Sequence, residues 1–334
     1  VGVAVIGLGF MGMTHARAYH GAGPRCRLRA AYDTDPSRLA GDGAGSRGGN
    51  LPQGQEGDDP LASVVVFDSL AALLAEPGID AVSICTPTDT HAAIASAALE
   101  AGKHVLVEKP VSLDRDEIRD LDAAARRAGR VCMPAMCMRF WPEWVWLRDR
   151  VTDGQLGGLR SLFFERLGPM PDWGGGFYTD PARSGGALHD LHIHDTDFVC
   201  AALGPPASVL SAGDINRLTT IYRYDNGPGH VVAAGGWLRG GPGFTMRYTA
   251  EFEHATAVFD LAADPPLVVF RDGEREAVRP PRAPATGYDG EIEAFLHAVE
   301  TGQDPPVTLA DAGVTLAVLE AEARSIRSGE VEAV

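Results

Sequence analysis

A strand, a glycine turn and a helix open this chain in immediate succession, and that order constrains the fold more than any other feature. Val3-Ala4-Val5-Ile6 is a short apolar run of the kind buried in a parallel sheet. Gly7-Leu8-Gly9-Phe10-Met11-Gly12 follows, and a helical stretch covers Thr14 to His20. Glycine is needed in such a turn for its tightness, for backbone approach to a pyrophosphate and for close helix–strand packing. The helix amino terminus then offers N–H groups and a positive dipole end to phosphate oxygens. The next apolar run, Leu28 to Tyr32, ends at Asp33, about 20 residues past the turn. A carboxylate there accepts hydrogen bonds from the adenosine ribose hydroxyls and repels a 2′-phosphate. Thr34 follows it and Arg38 lies further along, so NAD is expected and NADP is disfavoured.

Residues Gly41 to Pro60 are rich in Gly, Asp and Gln without periodicity and read as a long surface loop. The βα alternation then resumes: a strand at Val64 to Phe67, a helix near Ser69 to Ala75, and a strand at Ala81 to Cys85. Thr86-Pro87-Thr88 precedes a helix from about Thr90 to Ala101, and the strand from His104 to Val107 ends at Glu108-Lys109-Pro110. Strands alternating with helices imply a parallel, doubly wound sheet. Ligands of such sheets sit at the carboxyl ends of the strands, where Gly9, Asp33, Thr86 and Lys109 all fall. The stiff Glu-Lys-Pro turn marks Lys109 as functional rather than solvated.

From Leu159 the pattern changes to strands at Leu159 to Arg166, Thr219 to Tyr224, Val231 to Leu238, Thr245 to Phe252, Ala257 to Leu261 and Leu267 to Arg271. Gly, Pro, Asp and Asn punctuate them, as in an antiparallel sheet. Helices near Glu291 to Thr301 and Leu309 to Ser328 follow. Between the two patterns lies Gly185-Gly186-Ala187-Leu188-His189-Asp190-Leu191-His192-Ile193-His194-Asp195-Thr196-Asp197. Residues four apart share a helix face, so Asp190 presents a carboxylate beside the His194 imidazole. That pairing suits proton transfer, because the carboxylate orients the ring and stabilises its charged form. A metal site is not expected. His192 and His194 point about 200° apart on a helix, and no cysteine ligands lie near. The bland reading of Trp141-Pro142-Glu143-Trp144-Val145-Trp146 is packing, whereas Trp173, in a glycine-flanked loop, is a candidate for stacking on a sugar ring.

The net charge of −16 excludes a nucleic-acid partner, and an anionic membrane surface with it. Five scattered cysteines without a CxxC pair argue against a disulfide framework and for a reducing compartment, so the cytoplasm is expected.

Several of these segments together resemble the Gfo/Idh/MocA family. They are Gly7 to Gly12 with His15, Cys85-Thr86-Pro87 with His91, and Ala101 to Pro110. Met138-Arg139-Phe140-Trp141-Pro142, Gly185 to Asp197 and Tyr288 to Phe295 extend the likeness over nearly the whole chain. The resemblance implies an α/β protein: an amino-terminal Rossmann NAD-binding domain (residues 1–133) followed by an α+β domain on a large, mostly antiparallel sheet (134–334). It also implies that Lys109, Asp190 and His194 meet over the nicotinamide. His194 would exchange the proton of the reacting oxygen, Lys109 would fix and polarise that oxygen, and Asp190 would orient substrate or imidazole. The cofactor contacts implied are Gly7, Gly9, Phe10, Met11, Gly12, Asp33, Thr86, Pro87, His91, Glu108 and Lys109. Arg139 and Trp173 join the catalytic three around the substrate, and His91 and His15 read as structural or cofactor-edge residues. Family members often carry Gly where this chain has His192, which suggests an extra imidazole near the substrate. The expected activity is hydride transfer to or from a secondary hydroxyl of a sugar, cyclitol or polyol, in a homodimer or homotetramer. A redox-neutral, NAD-retaining glycosidase and a non-catalytic ligand sensor are the alternatives.

Overall fold

The computed structural model describes residues 1–39, 59–241, 243–281 and 284–334. The loop expected at Gly41 to Pro60 falls outside them except at its last two positions. Two compact units divide the chain. The first takes Val1–Cys137, Asp172–Tyr178 and Pro284–Gly313, and the second takes Met138–Pro171, Thr179–Ala283 and Val314–Val334. A single cut after residue 133 therefore does not describe the division: the chain returns to its first unit twice.

In the first unit six parallel strands are ordered β3-β2-β1-β4-β5-β6. These are β1 (Gly2–Ile6), β2 (Arg27–Tyr32), β3 (Val65–Val66), β4 (Ala81–Ile84), β5 (His104–Glu108) and β6 (Cys132–Ala135). β1 and β4 are buried along their whole length, as expected of strands covered on both faces. β3 is shorter than the apolar run from Val64 suggests. It is an edge strand with Val65 and Val66 exposed, where one side has no pairing partner among the described residues. The helices are α1 (Phe10–Gly21), α2 (Pro36–Leu39), α3 (Leu70–Ala75), α4 (His91–Glu100), α5 (Arg115–Ala128) and, from the returning segment, α9 (Gly287–Thr301). α3 starts where Ser69 caps Ala72 N–H, and α9 starts on a reciprocal Thr286–Asp289 capping box. α9 packs on α1.

In the second unit nine strands are ordered β14-β13-β12-β11-β7-β10-β9-β8-β15. They are β7 (Leu159–Pro169), β8 (Ser208–Asp214), β9 (Arg217–Arg223), β10 (His230–Leu238), β11 (Thr245–Phe252), β12 (Thr256–Asp260), β13 (Leu267–Arg271), β14 (Glu274–Val278) and β15 (Glu332–Ala333). Every pairing is antiparallel except β7 with β10 at the centre. One face carries the core. Trp144 of α6 (Pro142–Asp153) is wholly buried, edge-on to Tyr248 at 5.1 Å and to Phe259 at 4.9 Å between ring centroids. Of the tryptophan cluster, Trp144 thus packs in the core, while Trp141 and Trp146 are half-buried. The short α7 (Pro181–Ser184), a π-helical turn (Leu188–His192), α8 (Ile193–Leu203) and α10 (Leu309–Ser328) complete the elements. No helix among the described residues is long and apolar enough to cross a membrane.

Candidate active site

The strand order of the first sheet reverses direction between β1 and β4, the switch point at which such sheets bind ligands. Gly7 leaves β1 with φ of +88°, and a Cβ there would lie 2.7 Å from Cys85 O; on Gly12 it would lie 1.8 Å from Gly7 O. Both positions therefore admit only glycine. At Gly9, by contrast, a Cβ would meet only Arg38 Nη1, at 3.7 Å, so the loop is open where a pyrophosphate would approach. Gly9 is also the N-cap of α1, whose first turn has no acidic residue. Asp33 Oδ2 accepts the Leu8 N–H at 2.6 Å and Oδ1 accepts the Asp35 N–H at 2.8 Å, which ties the end of β2 to the glycine loop. These residues fit a dinucleotide.

Arg38 departs from its sequence reading. One turn of α2 brings its Nη1 to 3.5 Å from Asp33 Oδ2. A cation thus stands beside the carboxylate that was expected to act alone on the ribose.

The turns after β4 and β5 are held together by His91. Its ring nitrogens lie 2.7 Å from Thr86 O and 2.8 Å from Pro110 O, and the side chain is buried. Burial pushes the imidazole below its ordinary pKa, while the two carbonyls pull the other way. Thr86 Oγ1 accepts from Thr90 Oγ1 at 2.7 Å. Glu108 is also buried: Oε1 lies 3.1 Å from His15 Nε2, and Oε2 accepts the Lys109 N–H at 3.1 Å. It props the Lys109 turn from inside.

In the second unit the Asp-His segment begins as the π turn and continues as α8. π turns are rare and concentrate at functional sites. From Gly185 to Asp197 only His189, Asp190 and His194 are not buried. The residues after His194 lock the helix. Asp195 takes Arg166 Nε and Nη2 at 3.0 and 2.7 Å, both side chains buried. Thr196 Oγ1 lies 2.9 Å from Tyr222 Oη and donates to Glu322 Oε1 at 3.1 Å. Asp197 accepts Arg139 Nε and Nη2 at 2.8 and 2.7 Å and Thr315 Oγ1 at 3.1 Å. Arg139, expected at the substrate, makes a bidentate pair that anchors the helix. His189 Nδ1 lies 3.0 Å from Gly185 O, and burial holds its imidazole below the ordinary value.

His192 is not an imidazole facing substrate. It is wholly buried, 2.9 Å from Glu322 Oε2 and 3.2 Å from Tyr222 Oη through Nε2. A Cβ on Gly235 of β10 would lie 2.6 Å from its Nδ1. The bulk at 192 is accommodated by the missing side chain at 235. Trp173 belongs to the first unit, half-buried and edge-on to Tyr178 at 6.0 Å.

The sequence reading passed over Glu291, whose side chain comes to 3.7 Å from His15 Nε2. The spacing of Tyr288, Glu291, Ile292 and Phe295 places it on an apolar helix face, which was the available signal.

The model of the Gfo/Idh/MocA oxidoreductase family, NAD-binding Rossmann fold, matches residues 1–136, and that of the family's C-terminal domain matches 144–253. The scyllo-inositol 2-dehydrogenase (NAD(+)) of Bacillus subtilis is 27% identical over 98% of this chain and 94% of its own. The D-xylose 1-dehydrogenase (NADP(+)) 2 of Haloferax volcanii is 27% identical over 81% and 85%. The crystal structure of GenD2 from gentamicin A biosynthesis, in complex with NAD, aligns with TM-score 0.81 and 25% identity over 100% and 96% of the two chains.

Proposed function

This chain belongs to the Gfo/Idh/MocA family of oxidoreductases, and from that premise we propose an NAD-dependent dehydrogenase acting on a secondary hydroxyl of a sugar or cyclitol. One observation carries the site: in a segment otherwise buried and locked by ion pairs, only His189, Asp190 and His194 are partly exposed. The inositol and xylose dehydrogenases among its relatives support the substrate class.

Gly7, Gly9, Phe10, Met11, Gly12 and Asp33 would hold the dinucleotide, with Thr86 and Pro87 at the neighbouring strand end; NAD supplies a hydride acceptor. His194 takes the hydroxyl proton as the alcohol is oxidised and returns it in reduction, while Asp190, four residues earlier, orients the imidazole or the substrate. The Lys109 ammonium donates to the reacting oxygen and stabilises its developing charge. Trp173 offers a ring face to the sugar. Arg139 acts through Asp197, keeping α8 and hence His194 in register.

Steady-state kinetics on a panel of cyclitols, aldoses and sugar nucleotides, read as NADH formation, tests the reading. With the best substrate, His194→Ala lowers kcat by about a hundredfold to ten-thousandfold with NAD affinity retained. Lys109→Ala lowers it too, and Lys109→Arg does not restore it, because a planar fork cannot replace a compact ammonium. Near-normal kcat in His194→Ala overturns the assignment.

A further inference from the structure

One ring nitrogen of His15 and one carboxylate oxygen each of Glu108 and Glu291 lie within 4.8 Å of one another, and all three side chains are buried. They come from α1, the end of β5 and α9. Two carboxylates this close in a dry site cannot both stay ionised. The partners decide which one keeps its charge. Glu108 has the His15 Nε2 contact and the Lys109 N–H, both at 3.1 Å. Glu291 comes only to 3.7 Å from the same His15 Nε2, and both its oxygens are buried with no hydrogen-bond partner among the described residues. A proton or a cation must neutralise it. The imidazole between them is fully used, its Nε2 on Glu108 and its Nδ1 3.1 Å from Ser83 Oγ, which in turn lies 2.8 Å from Tyr19 Oη. A cation would have to break that chain, whereas a proton on Glu291 leaves it intact.

We propose that Glu291 is a positioning residue for the Lys109 turn: buried as the neutral acid, it leaves Glu108 as the single anion holding both His15 and the Lys109 backbone. Burial, then the nearby Glu108 charge, pushes the Glu291 carboxyl well above its ordinary pKa. Burial is the largest influence on Glu108 and pushes it up, but the His15 hydrogen bond and the charges of His15, Lys109 and His91 together outweigh it, and Glu108 ends below its usual value. The other titratable groups around the cluster are Tyr19 on α1 and Cys85 after β4, both driven upward by burial and so neutral, with Lys109 and His91 near Glu108. When Glu291 ionises, its charge repels Glu108, and the support of the Lys109 N–H weakens.

The consequence for activity rests on the assignment of Lys109 above; the protonation of Glu291 does not. Above the ordinary glutamate pKa only the folded chain holds this proton, so stability falls as pH rises toward the folded-state value. Glu291→Gln carries no such dependence. The difference in Tm, variant minus wild type, therefore grows as pH rises above the ordinary glutamate pKa toward the folded-state value, by about 3–5 °C per pH unit. Infrared spectra of the wild type at pH 7 show a buried carboxylic-acid C=O band that Glu291→Gln lacks. A constant Tm difference, an absent band in the wild type, or one equivalent of tightly bound divalent metal in the purified protein each overturns the proposal. The band in the wild type decides the matter even where the variant does not fold. For the positioning role, the kcat ratio of Glu291→Gln to wild type rises with pH. Superimposable pH profiles refute that role, while an active Lys109→Ala refutes the assignment of Lys109 instead.

Discussion

Replacing Asp195 with Asn removes one charge and almost no volume from the pair that anchors the start of α8. Arg166 and Asp195 are 3% and 1% exposed, so the guanidinium left behind has no water to turn to. Breaking a buried pair by neutralising one partner costs about 3–5 kcal/mol, against roughly 0–1 kcal/mol for an exposed pair. In a unit of this size each kcal/mol moves Tm by about 2–4 °C, so the transition of the second unit falls by about 6–20 °C. Differential scanning calorimetry measures it. The double variant Arg166→Met with Asp195→Leu fills the same space without charge and recovers most of the loss, because two desolvated ions are exchanged for apolar contact. Since Asp195 directly follows His194, Asp195→Asn also lowers kcat while leaving NAD affinity unchanged. A single variant that melts within about 2 °C of the wild type refutes the reasoning, since that is the response of a solvated pair. A double variant as unstable as the single one refutes it equally.

Two further expectations concern the cofactor and the assembly. The kcat/KM ratio favours NAD over NADP, and Arg38→Ala widens it, because that substitution removes the cation 3.5 Å from Asp33 and leaves the carboxylate. Comparable kcat/KM values in the wild type overturn the NAD assignment. The second unit's sheet shows a largely apolar row on one face, Leu210, Ile221, Val232, Phe163, Val258 and Val268, interrupted by Thr249 between Phe163 and Val258, beside exposed Phe270. A second copy is expected to cover that face. Light scattering at micromolar concentration gives a dimer or tetramer mass, and a monomer mass defeats it.

Local signals were legible and long-range ones were not. β11, β13 and α10 fall where periodicity places them, because the period of apolar residues is a property of a few neighbouring side chains. β14 was missed because Glu274, Arg275 and Glu276 read as solvated chain, although Asp272-Gly273 before it is a hairpin signal. Their φ of 53° and 81° form the turn. In the Asp-His segment, spacing alone pointed to Asp190 and His194 as candidates. It could not reveal that His192, two residues away, turns into the core against Glu322 of α10, because that depends on a contact 130 residues distant in sequence. Arg139 and Arg166 share this character: each is a surface residue by type and an anchor by partner. The Glu291–His15 approach joins the two ends of the first unit's own sequence and had no local signature beyond helix spacing.

The return of Pro284–Gly313 to the first unit sets a timetable for synthesis. Residues to Cys137 leave the ribosome with β1 to β6 complete and with α1 lacking the helix that covers it. At about 5–20 residues per second, α9 arrives on the order of ten to thirty seconds later, after nearly all of the second sheet has been made. Through that interval His15 and Glu108 are without Glu291, and the apolar flank of α1 is open to chaperones. The amino-terminal unit is thus first to begin and among the last to be finished, and nonsense termination anywhere before α9 releases a nucleotide domain that has never been closed.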